Sequence, residues 1–130
     1  MLAVSLPAFE EPRIDSHLDD LAPDELDRLP FGVIGFDAKT HVRVYNAFES
    51  RAAGLRRESV VGKPLFDVVA PCMNNFLVAQ RFEDAAESGS ALDAIVDYVL
   101  TLRMRPVKVR LRLVSSPDAT HRYVLVERNA

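Results

Sequence analysis

The chain has 130 residues, 48% of them apolar, a size and composition typical of one domain with a single hydrophobic core. Its one cysteine, Cys72, excludes an internal disulfide and a cysteine-rich metal site, and no apolar run approaches the ~18 residues needed to span a bilayer. The net charge is −3, and because no secretion signal follows Met1 we expect a cytoplasmic protein with no membrane association.

Charge is distributed unevenly along the chain. Residues 1–30 carry eight acidic residues and two arginines, whereas residues 101–130 carry seven basic residues and two acidic ones. A basic surface can bind nucleic acid, but here the acidic segment is available to cover it. We therefore expect the two ends to attract each other, and we expect no nucleic-acid partner.

The first thirty residues contain four prolines, so they can form only short helical turns, predicted around 15–21 and 23–28. The runs "FGVIGFD" and "HVRVYN", separated by "AKT", are typical of a β-hairpin. We assign residues 1–30 to an N-terminal cap packed on the sheet and residues 31–130 to the core, within a single domain.

A helical stretch is predicted after the hairpin. Asn46 suits the N-cap of a short helix that Gly54 ends. Single turns are indicated in "RESVVGK" and "PLFDVV", and residues 76–88 repeat apolar side chains at helical spacing before Gly89.

Beyond Gly89 the apolar period becomes two, which predicts three strands in "VDYVLTLRM", "VKVRLRLV" and "HRYVLVE". The outward stripe of Lys108, Arg110 and Arg112 is either a solvated sheet face or one covered by the acidic segment. Two strands, a helical stretch and three strands predict an α+β fold with a five-stranded antiparallel sheet. This order is that of PAS sensor modules, in which short helices on one sheet face enclose a ligand pocket.

Taken by itself, Cys72 is most simply a small buried apolar residue. A hydrolytic nucleophile would need a base, and the sequence gives no reason for His17, His41 or His121 to lie near the thiol. These histidines also lack a metal-ligand spacing. We therefore expect neither a cysteine hydrolase nor a metal site.

Glu49 and Tyr45 each have two interpretations. Glu49 is the fourth residue of "NAFE" and would complete a capping box by accepting a hydrogen bond from the Asn46 backbone N–H. Strict alternation places Tyr45 on the side of Arg43, opposite the two valines of the strand and toward solvent. Because the strand ends at Tyr45, a pocket position is equally open.

Four segments together resemble the photoactive yellow protein family, blue-light sensors with a PAS fold: "YNAFE", "VVGKPLFDVVAPC", the "SG" before the third strand, and "RMRPVKVR". The register is continuous from about Leu18 to the end, with one inserted residue near Ser90 to Leu92. The resemblance therefore covers more than four fifths of the chain.

The resemblance implies a chromophore, p-coumaric (4-hydroxycinnamic) acid, held on Cys72 as a thioester after the thiol attacks an activated acyl donor such as the coenzyme A ester. It also implies that Tyr45 and a protonated Glu49 donate hydrogen bonds to the chromophore's phenolate. Further pocket residues carried over from the family are Ala53, Leu55, Val69, Ala70, Leu100, Leu102 and Met104, with Phe31 and Gly32 at the start of the first strand. Loading happens once per molecule, so the resemblance implies a photoreceptor and not an enzyme.

Three positions depart from the family pattern. Ala53 replaces a threonine that supports the tyrosine, Leu55 replaces an arginine that covers the chromophore, and Leu102 replaces a tyrosine. The alternative function is a PAS module that is not photoactive and binds another small ligand or mediates signalling dimerisation. In either case the expected partner is an unidentified downstream signalling protein, and the expected state is a monomer or weak dimer.

The resemblance also implies a signalling step. After trans-to-cis isomerisation Glu49 would give its proton to the phenolate and become a buried carboxylate with no cation near it, which is costly. We expect the acidic segment 1–30, held largely by surface charge, to loosen in response.

Overall fold

A computed structural model describes residues 5–101 and 106–128. Five antiparallel strands form one sheet in the order β2-β1-β5-β4-β3, which confirms the predicted sheet. The strands are β1 (Gly32–Phe36), β2 (Val42–Tyr45), β3 (Leu92–Leu100), β4 (Val107–Ser115) and β5 (Arg122–Arg128).

Short helices precede the sheet and connect its two halves. They are α1 (Ile14–Asp19), α2 (Pro23–Leu26), α3 (Ala47–Ala53), α4 (Arg57–Val60) and α5 (Ala79–Ser88), with a π-helical turn at Leu65–Val69 and a 3₁₀ turn at Pro71–Met73. Within the described residues, none of these helices is long and apolar enough to cross a membrane.

Local capping chemistry sets the ends of α3 as predicted. The Asn46 side-chain oxygen accepts a hydrogen bond from the Glu49 backbone N–H at 3.1 Å. Gly54 ends the helix with a φ of 70°, a left-handed conformation that favours glycine.

The predicted start of the longest helix is wrong by three residues. Asn75 Oδ1 accepts hydrogen bonds from the backbone N–H groups of Leu77 and Val78 at 3.0 and 3.2 Å. This local turn satisfies the same groups that a helix would leave unpaired, and it leaves Phe76 79% exposed. Helix α5 therefore begins at Ala79.

The sheet separates two apolar clusters. The helix-side cluster lies under α3 to α5 and includes Ile34, Phe36, Tyr45, Val60, Leu65, Phe66, Val69, Ala70, Met73, Phe82, Leu100, Leu111 and Val124. The cap-side cluster lies on the other face and contains Phe9, Ile14, Leu18, Leu26, Leu29, Phe31, Val33, Val114, Tyr123 and Leu125.

Apolar burial, more than surface charge, holds the acidic segment on the sheet. Ile14 and Leu18 are at most 1% exposed in the cap-side cluster, and burying one such side chain contributes about 1.5–3 kcal/mol. Exposed ion pairs contribute much less. The expectation that this segment is held largely by surface charge is therefore wrong.

Arginines of β4 add directed contacts to that apolar attachment. Arg112 is only 3% exposed, and its guanidinium donates to the Phe9 and Glu11 carbonyl oxygens at 2.8 Å each. Arg110 pairs with Glu10 at 2.8 Å. The basic stripe was predicted to be either solvated or covered by the acidic segment. The segment covers it at Arg110 and Arg112, and Lys108 is exposed.

Candidate functional site

Cys72 lies on the 3₁₀ turn, which Pro71 begins. Its carbonyl oxygen accepts hydrogen bonds from the Tyr98 hydroxyl at 2.5 Å and from Asn75 Nδ2 at 3.3 Å, and Asn75 Nδ2 also donates to the Tyr98 oxygen at 2.7 Å. Tyr98 belongs to β3, so these bonds fix the backbone of the cysteine to the sheet. The thiol side chain is partly buried and unbridged.

A cavity of about 650 Å³ opens beside Cys72. Its lining residues are mostly apolar: Ala53, Leu55, Ser59, Val60, Val68, Val69, Pro71, Cys72 and Thr101. The volume lies in the usual range for small-molecule pockets, about 300–1,000 Å³. Cys72 is therefore the thiol in the described wall of a pocket large enough for an aromatic acid.

Tyr45 is 3% exposed and lies in the helix-side cluster, so the solvent interpretation is wrong. The cause is a β-bulge: Val44 pairs with Gly35 and Val42 pairs with Phe36, so that one extra residue of β2 has no partner. An extra residue reverses the alternation beyond it. Tyr45 consequently shares the face of Val42.

Tyr45 ends β2 with a free hydroxyl. No hydrogen bond joins this hydroxyl to another group in the described part of the chain. Burial, followed by the charge of Glu49, raises the Tyr45 pKa above its ordinary value of 10.0. The phenol therefore stays neutral and can donate a hydrogen bond at physiological pH.

The Glu49 side chain is buried, 1% exposed, and does not complete a capping box. The Asn46 backbone N–H instead donates to the Val33 carbonyl oxygen at 3.2 Å. Asn46 is itself held on all sides: its Oδ1 also accepts from Val33 N, and its Nδ2 donates to the Leu26 and Phe31 carbonyl oxygens. The carboxyl of Glu49 is thereby free to point toward the sheet.

Gly32 makes room for that carboxyl. A Cβ on Gly32 would lie 2.0 Å from Glu49 Oε1, far inside contact distance. Only glycine at this position of β1 allows the carboxyl to lie directly over the strand.

The carboxyl of Glu49 forms a two-pronged ion pair with Arg128 of β5. Arg128 Nη1 donates to Oε1 at 2.6 Å and Nη2 donates to Oε2 at 3.1 Å. Burial raises the Glu49 pKa above its ordinary value of 4.5, while the hydrogen bond and charge of Arg128 act to lower it. The expectation of no cation near Glu49 is therefore wrong.

The structure brings most of the sequence-predicted site residues together. Tyr45, Val69, Ala70 and Leu100 share the helix-side cluster, against which Leu55 and Cys72 pack. Ala53 is 8% exposed, lines the cavity, and follows Glu49 by one helical turn on the same side of α3. Glu49 is close enough to Tyr45 to influence the Tyr45 pKa.

One position does not fit that arrangement, and for two others the predicted place in the pocket stays a prediction. Phe31 lies on the opposite sheet face, in the cap-side cluster, because successive side chains of a strand point to opposite faces. Leu102 and Met104 lie outside the described residues.

The sequence did not indicate the residues that fix Cys72, Glu49 and Tyr45 in place through hydrogen bonds. Tyr98 and Asn75 fix Cys72, Arg128 pairs with Glu49, and Arg57 Nε donates to the Tyr45 carbonyl oxygen at 2.8 Å. The alternation of side chains along β5 is a signal that could have placed Arg128 on the helix side, together with Val124 and Val126. No feature of the neighbouring sequence indicates that its partner is Glu49.

Comparison with known proteins places this geometry in a family. A model of the PAS fold matches residues 26–127. The photoactive yellow protein of Halochromatium salexigens is 31% identical over 120 residues, covering 92% of this chain and 95% of that protein. The chain belongs to the photoactive yellow protein family.

Other members support the same assignment. The photoactive yellow protein of Rhodothalassium salexigens is 28% identical over the same shares of both chains. The crystal structure of the photoactive yellow protein domain from the sensor histidine kinase Ppr of Rhodospirillum centenum superposes with a TM-score of 0.80 at 34% identity, covering 88% of this chain and 99% of that one. The predicted PAS fold and the family resemblance are thus confirmed.

A more distant structure shares the fold alone. The PAS domain of the quorum-sensing receptor RpfR from Cronobacter turicensis has a TM-score of 0.60 at 12% identity. The specific assignment therefore depends on the photoactive yellow proteins.

Proposed function

We propose that this protein is a blue-light photoreceptor whose chromophore is p-coumaric acid, held as a thioester on Cys72. The observation that supports this proposal most is the surroundings of Cys72. Its thiol lines an apolar cavity and packs against the helix-side cluster, which contains the buried Tyr45, and the buried Glu49 is close enough to Tyr45 to influence its pKa. When bound, p-coumaric acid would supply a double bond that isomerises on absorbing light and a phenolate oxygen that accepts a proton.

The chemistry of the described residues fits this group. Tyr45 is 3% exposed, and its hydroxyl is a donor without a described partner. A buried anion needs such donors. Glu49 can donate when protonated, a state that its burial favours. Val69 and Leu55 contribute apolar surface to the cavity wall, which suits an aromatic ring.

Attachment needs only the thiol of Cys72. Its sulfur attacks the carbonyl carbon of an activated donor such as p-coumaroyl-coenzyme A, and the new C–S bond forms as the bond to the coenzyme A sulfur breaks. The coenzyme A thiolate leaves with the electron pair of that bond and takes up the proton that the Cys72 thiol has lost. The reaction happens once per molecule, so it is loading of a cofactor. Glu49 would then be the proton donor of the light response, and Tyr45 the donor that remains.

The test is reconstitution. The purified chromophore-free protein is mixed with p-coumaroyl-coenzyme A and analysed by mass spectrometry and absorption spectroscopy. We expect one acyl adduct per chain and a yellow protein, and neither in Cys72→Ser. A parent protein that forms no adduct would overturn the photoreceptor proposal in favour of a PAS module that binds another ligand or mediates dimerisation.

A further inference from the structure

Arg128 is the group in the site that neither the sequence pattern nor the proposed chromophore chemistry requires. We propose that Arg128 is the resident counter-ion of the site, balancing one negative charge that lies on Glu49 in the chromophore-free protein and on the phenolate when Glu49 is protonated. The second half of this inference rests on the proposed function, and the first half does not.

The geometry favours a dedicated pair. Each terminal nitrogen of Arg128 donates to a different carboxyl oxygen of Glu49, Nη1 to Oε1 at 2.6 Å and Nη2 to Oε2 at 3.1 Å, which is the fork geometry of strong arginine–carboxylate pairs. The Arg128 side chain is 17% exposed and that of Glu49 is 1% exposed, so water screens the pair little. Within the described residues, Arg128 is the only cation paired with Glu49.

The surrounding strands fix the two partners independently. Gly32 of β1 leaves the space that the carboxyl occupies, and β5 projects Arg128 from the same face as Val124 and Val126. Helix α3 holds Glu49 through the Asn46 cap. Three elements, α3, β1 and β5, therefore position the Glu49–Arg128 pair, which is part of the folded interior and not an exposed surface contact.

Charge balance explains why the fold would keep this arginine. A buried carboxylate without a partner costs several kcal/mol. With Arg128, the site is neutral when Glu49 is a carboxylate, and it is neutral again when Glu49 is protonated beside a phenolate. Transfer of the proton from the Glu49 carboxyl to the phenolate oxygen moves the negative charge toward Arg128 without leaving it unpaired.

Among the residues that the structure describes, few other charges act on Glu49. The titratable groups that couple to it are Arg128 from β5 and Tyr45 from the end of β2. Tyr45 is neutral at physiological pH, because burial raises its pKa. Burial raises the Glu49 pKa and Arg128 lowers it, so removal of Arg128 should shift the protonation of Glu49 in the chromophore-free protein.

The primary experiment uses the chromophore-free full chain. Infrared spectroscopy follows the carbonyl band of the protonated Glu49 carboxyl against pH, and Glu49→Gln identifies the band. We expect Arg128→Gln to move the titration midpoint to higher pH, because the cation that lowers the Glu49 pKa is gone. Arg128→Lys should restore most of the shift, and Arg122→Gln, the same change at the other end of β5, should cause none.

A double-mutant cycle covers the case in which Arg128→Gln does not fold. Arg128→Gln should cost much more stability in the parent than in the Glu49→Gln background, since breaking one side of a buried pair leaves the other charge unpaired. If Arg128→Gln alone does not fold, we expect the double variant with Glu49→Gln to fold. Equal costs in both backgrounds, or an unshifted midpoint in a folded Arg128→Gln, would show that Arg128 is not the counter-ion.

The loaded protein tests the second half. At one mildly acidic pH, Arg128→Gln should contain a larger blue-shifted fraction with a protonated phenol than the parent, and Arg128→Lys should reverse this change. An unchanged fraction in folded Arg128→Gln refutes the counter-ion role toward the phenolate. If no adduct forms, the proposed function fails, while the titration in the chromophore-free protein still decides the role of Arg128 toward Glu49.

Discussion

Gly32 decides where the carboxyl of Glu49 can lie, although glycine has no functional group of its own. A methyl group at residue 32 would occupy the position of Glu49 Oε1, at 2.0 Å. We expect Gly32→Ala to push the carboxyl off β1, to weaken its pair with Arg128, and to lower the free energy of unfolding by about 1–3 kcal/mol.

Gly35→Ala is the matched control for that change. It lies on the same strand, and its added Cβ would meet Val44 and Tyr123 at 2.8 and 2.9 Å. Both variants should be destabilised in urea unfolding. Only Gly32→Ala should change the infrared band of Glu49, and a change of equal size in Gly35→Ala would contradict a specific role for Gly32.

Ala53 is the position at which the resemblance described above predicts a threonine hydroxyl that this chain lacks. Its side chain is one helical turn from Glu49 and lines the cavity beside Leu55. Once the protein is loaded, Ala53→Thr should add a donor near Tyr45, and the protonated, blue-shifted fraction on mild acidification should fall.

The control is Ala52→Thr, which makes the same substitution at an exposed position of α3. It carries the same cost in helix propensity without reaching the cavity. Absorption titrations of parent, Ala53→Thr and Ala52→Thr give the comparison. If Ala53→Thr overlays the parent, the hydroxyl at this position has no part in holding the phenolate.

The buried Glu49 also makes stability depend on pH. Burial raises its pKa in the folded chromophore-free protein above the ordinary value of 4.5, so the native state keeps the proton where the unfolded chain has lost it. The stabilising contribution of the protonated carboxyl is fully present below about pH 4.5. It is lost as the pH rises through the folded-state pKa.

We therefore expect the unfolding free energy of the parent to fall over that interval, relative to Glu49→Gln. Urea denaturation of both proteins across a pH series measures the difference. A difference that stays constant with pH would mean that folding does not perturb the pKa of Glu49.

At the scale of elements, the features of helices and strands that depend only on residues close together in sequence could be predicted. Asn46 and Gly54 set the ends of α3 by capping alone. Tyr45 could not be placed, because the bulge in β2 exists only in its pairing with β1. The partner of Glu49 could not be found either, since Arg128 is separated from it by 79 residues and meets it only through the sheet.

Strand β4 holds the N-terminal segment through one buried guanidinium. Arg112 donates to the Phe9 and Glu11 carbonyl oxygens and pairs with both oxygens of Asp93, through Nε and Nη2, at 2.8 and 2.7 Å. Hydrogen bonds of a charged group contribute about 1.5–3 kcal/mol. We expect Arg112→Met to destabilise the protein by at least that much and to speed hydrogen exchange in residues 5–21.

Lys108→Met is the control on the same strand, because Lys108 is exposed. Hydrogen exchange followed by mass spectrometry resolves the segment from the sheet. Faster exchange spread evenly over all strands, with no excess in residues 5–21, would show that Arg112 supports the fold as a whole and not this attachment.

At the scale of the whole molecule, the candidate site and the N-terminal segment lie on opposite faces of the sheet but share two strands. Glu49 contacts β5 through Arg128 and lies over Gly32 of β1. The cap-side cluster packs on the reverse of the same strands, through Val33 of β1 and Leu125 of β5. A displacement of β1 relative to β5 would therefore change side-chain packing on both faces of the sheet.

This arrangement would give the proposed light response a route to the N-terminal segment. If Glu49 loses its proton in the loaded protein, its carboxylate is drawn to Arg128, and the shift acts on β5 and β1 together. Hydrogen exchange in residues 5–21 should then rise under blue light, and Glu49→Gln should greatly reduce the rise because no carboxylate can form. Salt alone should not mimic light: at about 1 M, where the screening length is ~3 Å, the buried Ile14 and Leu18 still hold the segment. If light drives equal exchange in Glu49→Gln, the change of chromophore shape acts without the proton transfer. If salt releases the segment in the dark, charge holds the segment and the cap-side cluster does not.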